Sequence, residues 1–201
     1  MRPAVLRRVL MRPALLTTLI AAFVLAPAIA LAHTVGAETS GLMYGLAHPI
    51  SGIDHVLAMV AVGLLSAHLD GRAMWLVPLS FVGVMVVGGA LGMAGLRVPF
   101  AEFGLGLSVI VLGLAVAFRF NLPRLAAMAL VGFFAVFHGY VHGAALPAAA
   151  SGLPYAVGFV GATALLQGVG AGFGLLIGRR VVQAGGGAIA VLGIAILSGL
   201  L

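Results

Sequence analysis

The chain has 201 residues, roughly one domain of length, but 63% are hydrophobic and 7% charged, against about 45–50% and 25% in globular proteins. A mean hydropathy of +1.28, with ten basic and four acidic side chains, cannot supply a solvated surface, and this excludes a soluble domain. The pI of 11.4 is no nucleic-acid signature either: Arg2, Arg7, Arg8 and Arg12 crowd the N-terminus, and residues 33–201 carry six arginines against four acids, a formal +2.

Thirty glycines suit helices that pack closely in lipid, where small residues let backbones approach. The apolar runs are continuous and about 20 residues long, as spanning helices require, rather than short and alternating as in a barrel. The expected fold is an all-α polytopic membrane protein. With no cysteine there is no disulfide framework and no thiolate ligand.

Residues 1–32 read as a cleaved signal peptide. An arginine-rich start precedes an apolar run from about Ala14 to Leu25, and Ala30-Leu31-Ala32 offers the small-residue cleavage site. The mature chain then begins at His33, whose α-amine and imidazole form a candidate chelating pair at the entrance. Residues 33–201 form a single membrane domain with six spans, placed at roughly 47–69, 74–95, 102–118, 124–144, 154–178 and 185–201. Gly71, Gly95 with Pro99, Pro123, Pro147 with Pro154, and Gly185–Gly187 serve as breakers between them. With His33 outside, the inner loops carry Arg72, Arg119, Arg124, Arg179 and Arg180, and the outer loops only Arg97. That bias predicts a bacterial inner-membrane protein with its mature N-terminus outside. Gly88 with Gly92, and Gly170, Gly174 and Gly178, read as packing stripes.

Ionisable groups inside a span are costly and point to function. The first span opens His48-Pro49-Ile50-Ser51-Gly52-Ile53-Asp54-His55, with Pro49 expected in the first helical turn. In a continuous helix His48 and His55 lie two turns apart on one face, about 10 Å in height, with Asp54 one residue round. His68 and Asp70 at the inner end read as an interfacial pair. The fourth span carries His138 and His142 at i and i+4, the spacing at which two imidazoles share a cation, with Gly139 and Gly143 beside them. Both motifs fall in the outer half of the membrane. His48, Asp54, His55, His138 and His142 are therefore expected to form one divalent-metal cluster, with the first span packed against the fourth. In the fifth span, Thr163 and Gln167 are candidate path residues. Imidazole and carboxylate without thiolate suit Ni²⁺, Co²⁺, Zn²⁺ or Cu²⁺ better than Cu⁺, and do not choose among them. Met59, one turn below His55, keeps a soft ligand open, though a lone Met in a helix is more often packing.

The segments His48-Pro-Ile-Ser-Gly-Ile-Asp54-His55 and Phe137-His138-Gly-Tyr-Val-His142-Gly143 resemble those of the HupE/UreJ family of hydrogenase and urease accessory membrane proteins. So do Ala32-His-Thr after the signal, Arg72-Ala-Met-Trp-Leu-Val-Pro78, and Ala162-Thr-Ala-Leu-Leu166. The resemblance implies a nickel or cobalt permease serving nickel enzymes. This chain departs from the family pattern at Ala144-Ala145, where a Glu is common, and at Gln167, where a His often stands.

The expected function is inward transport of Ni²⁺ or Co²⁺ as substrate, with no catalysis and no permanent cofactor. The expected partners are the metal ion and the lipid bilayer, with no nucleic acid; association into homo-oligomers is left open. The competing readings are a membrane-embedded metalloenzyme, with Asp54 as its base, and a haem protein with one axial histidine from each motif.

Overall fold

The structure is a computed structural model that describes residues 41–69, 71–146 and 152–201. The expected signal peptide, His33 and Asp70 lie outside the described residues. Among the described residues there are seven helices and no strand. They are α1 (Gly41–Ser51), α2 (Ile53–Ala67), α3 (Ala73–Met93), α4 (Ala101–Ala117), α5 (Arg124–Ala144), α6 (Gly152–Leu176) and α7 (Arg179–Leu197). Four of these, α3, α5, α6 and α7, are long and apolar enough to cross a membrane. The pair α1 and α2 qualifies as a fifth when taken together, and α4 is an apolar helix of 17 residues. The chain is an all-α membrane protein.

The first span departs from expectation. It begins at Gly41 and breaks at Gly52, where α1 and α2 meet at a bend of 82°. Pro49 sits inside α1, where it has no N–H to give and weakens the last turn. The Ser51 hydroxyl donates to the His48 carbonyl at 2.6 Å, and Gly52 adopts an extended backbone. The Gly52 carbonyl then accepts the first bond of α2, from Val56 N–H at 3.1 Å. The last span departs too: Gly185–Gly187 do not break the chain but lie within α7. Gly186 alone of the three packs, against the Ala117 and Gly113 backbones, while Gly185 and Gly187 face open space. Gly71 and Gly95 do end their segments, each with positive φ.

Three helix pairs pack most closely: α3 with α5, α4 with α7, and the broken α1–α2 with α6. Glycine contacts set their directions. Gly45 meets Tyr155 and Gly63 meets Gln167, so α1–α2 runs parallel to α6. Gly139 and Gly143 abut the Met85 and Gly89 backbones, so α3 and α5 are also parallel. In α4 and α7, Gly113 meets Ala190 and Gly193 meets Ile110, an antiparallel pair. The expected packing of first span against fourth is not among these close pairs, because α6 occupies one flank of α2 and α3 occupies one flank of α5. Phe81, Met59, Leu65, Met85 and Leu112 fill the space where the pairs converge.

Gly139→Ala would drive a methyl into the Met85 carbonyl, whereas a Cβ at Gly168 meets nothing within 4 Å. Thermal unfolding in detergent should show Gly139→Ala destabilised by about 1–3 kcal/mol. Gly168→Ala should be neutral or more stable, since alanine is the better helix former by up to ~1 kcal/mol.

Candidate metal centre

The break at Gly52 and the one-turn repeat on α5 together determine where four imidazoles lie. A continuous helix would hold His48 and His55 apart. The bend instead swings them to either side of His142, whose ring centroid lies 4.8 Å from each. His138, one turn earlier on α5, meets His55 with ring centroids 5.3 Å apart and Nδ1 atoms 3.4 Å apart. One ring nitrogen from each of His55, His138 and His142 lies within 4.8 Å of the others. His55 and His138 are fully buried and His142 is 7% exposed, while His48 is half-buried and stacks on Tyr44.

The surrounding hydrogen bonds assign the protons. Ser108 Oγ donates its one proton to the Leu105 carbonyl at 2.6 Å, so it accepts from His138 Nε2–H at 2.8 Å. That tautomer leaves the His138 Nδ1 lone pair facing His55. Thr163 Oγ1 is directed at Met85 Sδ, 3.7 Å away, and therefore accepts from His55 Nε2–H at 3.2 Å. Two Nδ1 lone pairs then face one another. Both nitrogens of His142 are buried without a hydrogen-bond partner among the described residues. Buried polar atoms in such a state ordinarily find a partner, so this one is chemically incomplete.

A cation would complete it. Two imidazole nitrogens bound at ~2.0–2.1 Å to one tetrahedral ion stand about 3.3 Å apart. The observed 3.4 Å between His55 and His138 fits that spacing without rearrangement. Aromatic rings close the site: Phe159 packs on His55 and His142, Phe81 on His138, and the Tyr155 hydroxyl donates to the His142 carbonyl at 3.2 Å. The donor set is neutral and nitrogen-rich, which suits a borderline divalent ion.

Asp54 stands elsewhere. Its Oδ1 accepts from the His55 backbone N–H at 2.8 Å, at the start of α2, and its carboxylate is not in the group formed by the three imidazoles. Asp54 lines a cavity of about 580 Å³ with Glu102, Phe103, Val141 and Leu197. The five-residue cluster is thus four imidazoles in contact and a carboxylate on a different wall. Glu102, at the start of α4, was missed by sequence reasoning because an acid in a first helical turn looks like ordinary capping. It also lines a neighbouring cavity of about 640 Å³ with Tyr140, Ala144 and Ala145. Thr163 reaches His55, whereas Gln167 lies one turn further along α6 and donates to Met59 Sδ at 3.7 Å. His68 follows α2 and lies against the Leu64 and Phe120 carbonyls, apart from the cluster.

Residues 21–196 match the family described as HupE / UreJ protein. The chain belongs to the HupE/UreJ family. Protein HupE of Rhizobium leguminosarum bv. viciae is 45% identical over 188 residues, covering 92% of this chain and 97% of that protein. No solved structure matches. HupE/UreJ proteins are hydrogenase and urease accessory proteins rather than enzymes, and the metalloenzyme reading falls with that assignment.

Ser108→Ala should strand His138 Nε2 in an apolar wall and cost about 1–3 kcal/mol, read as a lower unfolding temperature. Ser80→Ala, which removes only a hydroxyl bonded to its own helix, should change stability by less than about 1 kcal/mol.

Proposed function

We propose that this HupE/UreJ protein carries Ni²⁺ or Co²⁺ across the bacterial inner membrane into the cytoplasm, as a source of metal for hydrogenase- or urease-type enzymes. One observation carries the reading. Three buried imidazoles from two helices present nitrogens within 4.8 Å of one another, and both nitrogens of His142 lack a partner among the described residues. A purely structural core has no reason to hold that arrangement in an apolar bundle.

In this reading the six spans comprise α1–α2, α3, α4, α5, α6 and α7, preceded by a signal peptide, with the mature N-terminus outside. The half-buried His48 meets the ion first and His142 receives it. His55 and His138 then complete the coordination. Asp54 and Glu102, on their shared cavity, lower the potential beside this route without ligating the held ion. All four ligands are neutral imidazoles, which limits affinity, and a carrier must release what it binds. No nucleotide-binding motif occurs in the chain, so the membrane potential is the natural drive. Moving a doubly charged ion inward gains about 4.6 kcal/mol per 100 mV, at ~2.3 per charge.

A haem between the two motifs is disfavoured. His55 and His138 touch at 3.4 Å, with Phe81 and Phe159 against their rings, which leaves no slot for a macrocycle.

Expressed in a bacterium lacking its own nickel uptake, the protein should raise cell-associated Ni²⁺ or Co²⁺. His55→Ala and His142→Ala should each lower the initial rate at least tenfold while inserting normally. Equal uptake by the variants would remove the imidazoles from the mechanism. In sealed vesicles, collapsing an inside-negative potential should abolish accumulation against a gradient. Undiminished accumulation would point to another driving force.

A further inference from the structure

Beyond the imidazoles, α6 carries two further buried polar side chains, Thr163 and Gln167, and each meets a sulfur. Tyr155, Phe159, Thr163 and Gln167 recur every four residues and are all buried, forming one stripe along the face that meets α1–α2. Thr163 Oγ1 joins His55 to Met85, contacting Nε2 at 3.2 Å and Sδ at 3.7 Å. One turn on, Gln167 Nε2 points at Met59 Sδ, also at 3.7 Å. Met59 follows His55 by one turn on α2, so both helices step in the same direction away from the imidazoles. Met59 is fully buried, Met85 1% exposed and Gln167 2% exposed.

Packing alone does not account for Gln167. A leucine would fill the same space without burying an amide, and a thioether is a weak hydrogen-bond acceptor. The one side-chain hydrogen bond of this buried amide among the described residues runs to sulfur and is weak. The same weakness makes the pair easy to open. If the amide turns over, its carbonyl oxygen and the Met59 sulfur face the same point. The thioether brings a softer donor than any imidazole, and Met85 with Thr163 forms a similar pair beside His55.

We propose that Met59, Met85, Thr163 and Gln167 form a second cation station, adjoining the imidazole centre and extending one helical turn beyond it. It takes the divalent ion weakly on its way through and binds soft monovalent ions such as Ag⁺ firmly. The handover rests on the transport reading given above; the thioether site itself does not.

Methyl NMR of the purified protein, labelled at the methionine Cε and titrated with Ag⁺, tests the site directly. Among the methionines of the purified protein, Met59 and Met85 should shift first, ahead of the exposed Met43 and Met93. The same shifts should persist in His55→Ala. The Met59→Leu/Met85→Leu variant conserves volume and should bind Ag⁺ at least tenfold more weakly. Its Ni²⁺ uptake should be at least fivefold slower at saturation, with half-saturation unchanged, because capture by the imidazoles precedes this step. Shifts confined to exposed methionines, or Ag⁺ binding unaltered in the double variant, would overturn the site. Intact Ag⁺ binding at the thioethers, with uptake equal in wild type and variant, would overturn the handover. A wild type that carries no Ni²⁺ would instead sink the transport reading and leave the NMR titration to decide the station.

Discussion

The arrangement of this molecule depends on a backbone that cannot remain helical at Gly52. A bilayer interior penalises every unpaired peptide group, so a break within a span persists only where neighbouring protein shields it. Here α6 does so. Gly45 and Gly158 bring α1 and α6 into backbone contact above the break, and Gly63 and Gly170 bring α2 and α6 into contact below it. With both halves clamped to one straight helix, the 82° turn between them becomes a fixed feature of the fold. His48 and His55, on opposite sides of that turn, then flank a single imidazole of α5 instead of lining separate turns of one rod.

The close pairs explain how a site can exist without the helices that supply it being packed together. α2 and α5 meet through side chains, each held by a different partner. Small residues on α3 and α5 remove the volume that would otherwise separate Met85 from Gly139. That contact determines the height of His138 and His142. Ser108 on α4 and Thr163 on α6 then orient the rings through their Nε2 atoms and leave the Nδ1 atoms of His55 and His138 facing inward. His55 and His138 are thus each positioned by an element other than the one that carries it.

Composition and continuous apolar runs were enough to read a helical membrane protein, since no other architecture tolerates so few charges. The histidine pairs were legible for the same reason: polar atoms in lipid stand out against leucine and alanine. The break was not legible, although Pro49, Ser51 and Gly52 were all in view. Proline near the start of a helix is ordinarily harmless, and the helix was taken to begin close to His48 rather than at Gly41. Gly185–Gly187 misled in the opposite direction, because the helix runs on through them and Gly186 gives α4 a surface to rest on. Asp54 was read as part of the cluster from its adjacency to His55. One step along a helix is a rotation of about 100°, and that rotation carries its carboxylate to the wall shared with Glu102.

The division into tight pairs has a mechanical consequence. Backbones in atomic contact across glycine cannot slide or separate without losing that contact, so α1–α2 with α6 behaves as one body and α3 with α5 as another. The imidazoles lie on the seam: His48 and His55 belong to the first body, His138 and His142 to the second. The 3.4 Å approach of His55 to His138 therefore spans two bodies, and any shift of one against the other would change the spacing of the imidazoles.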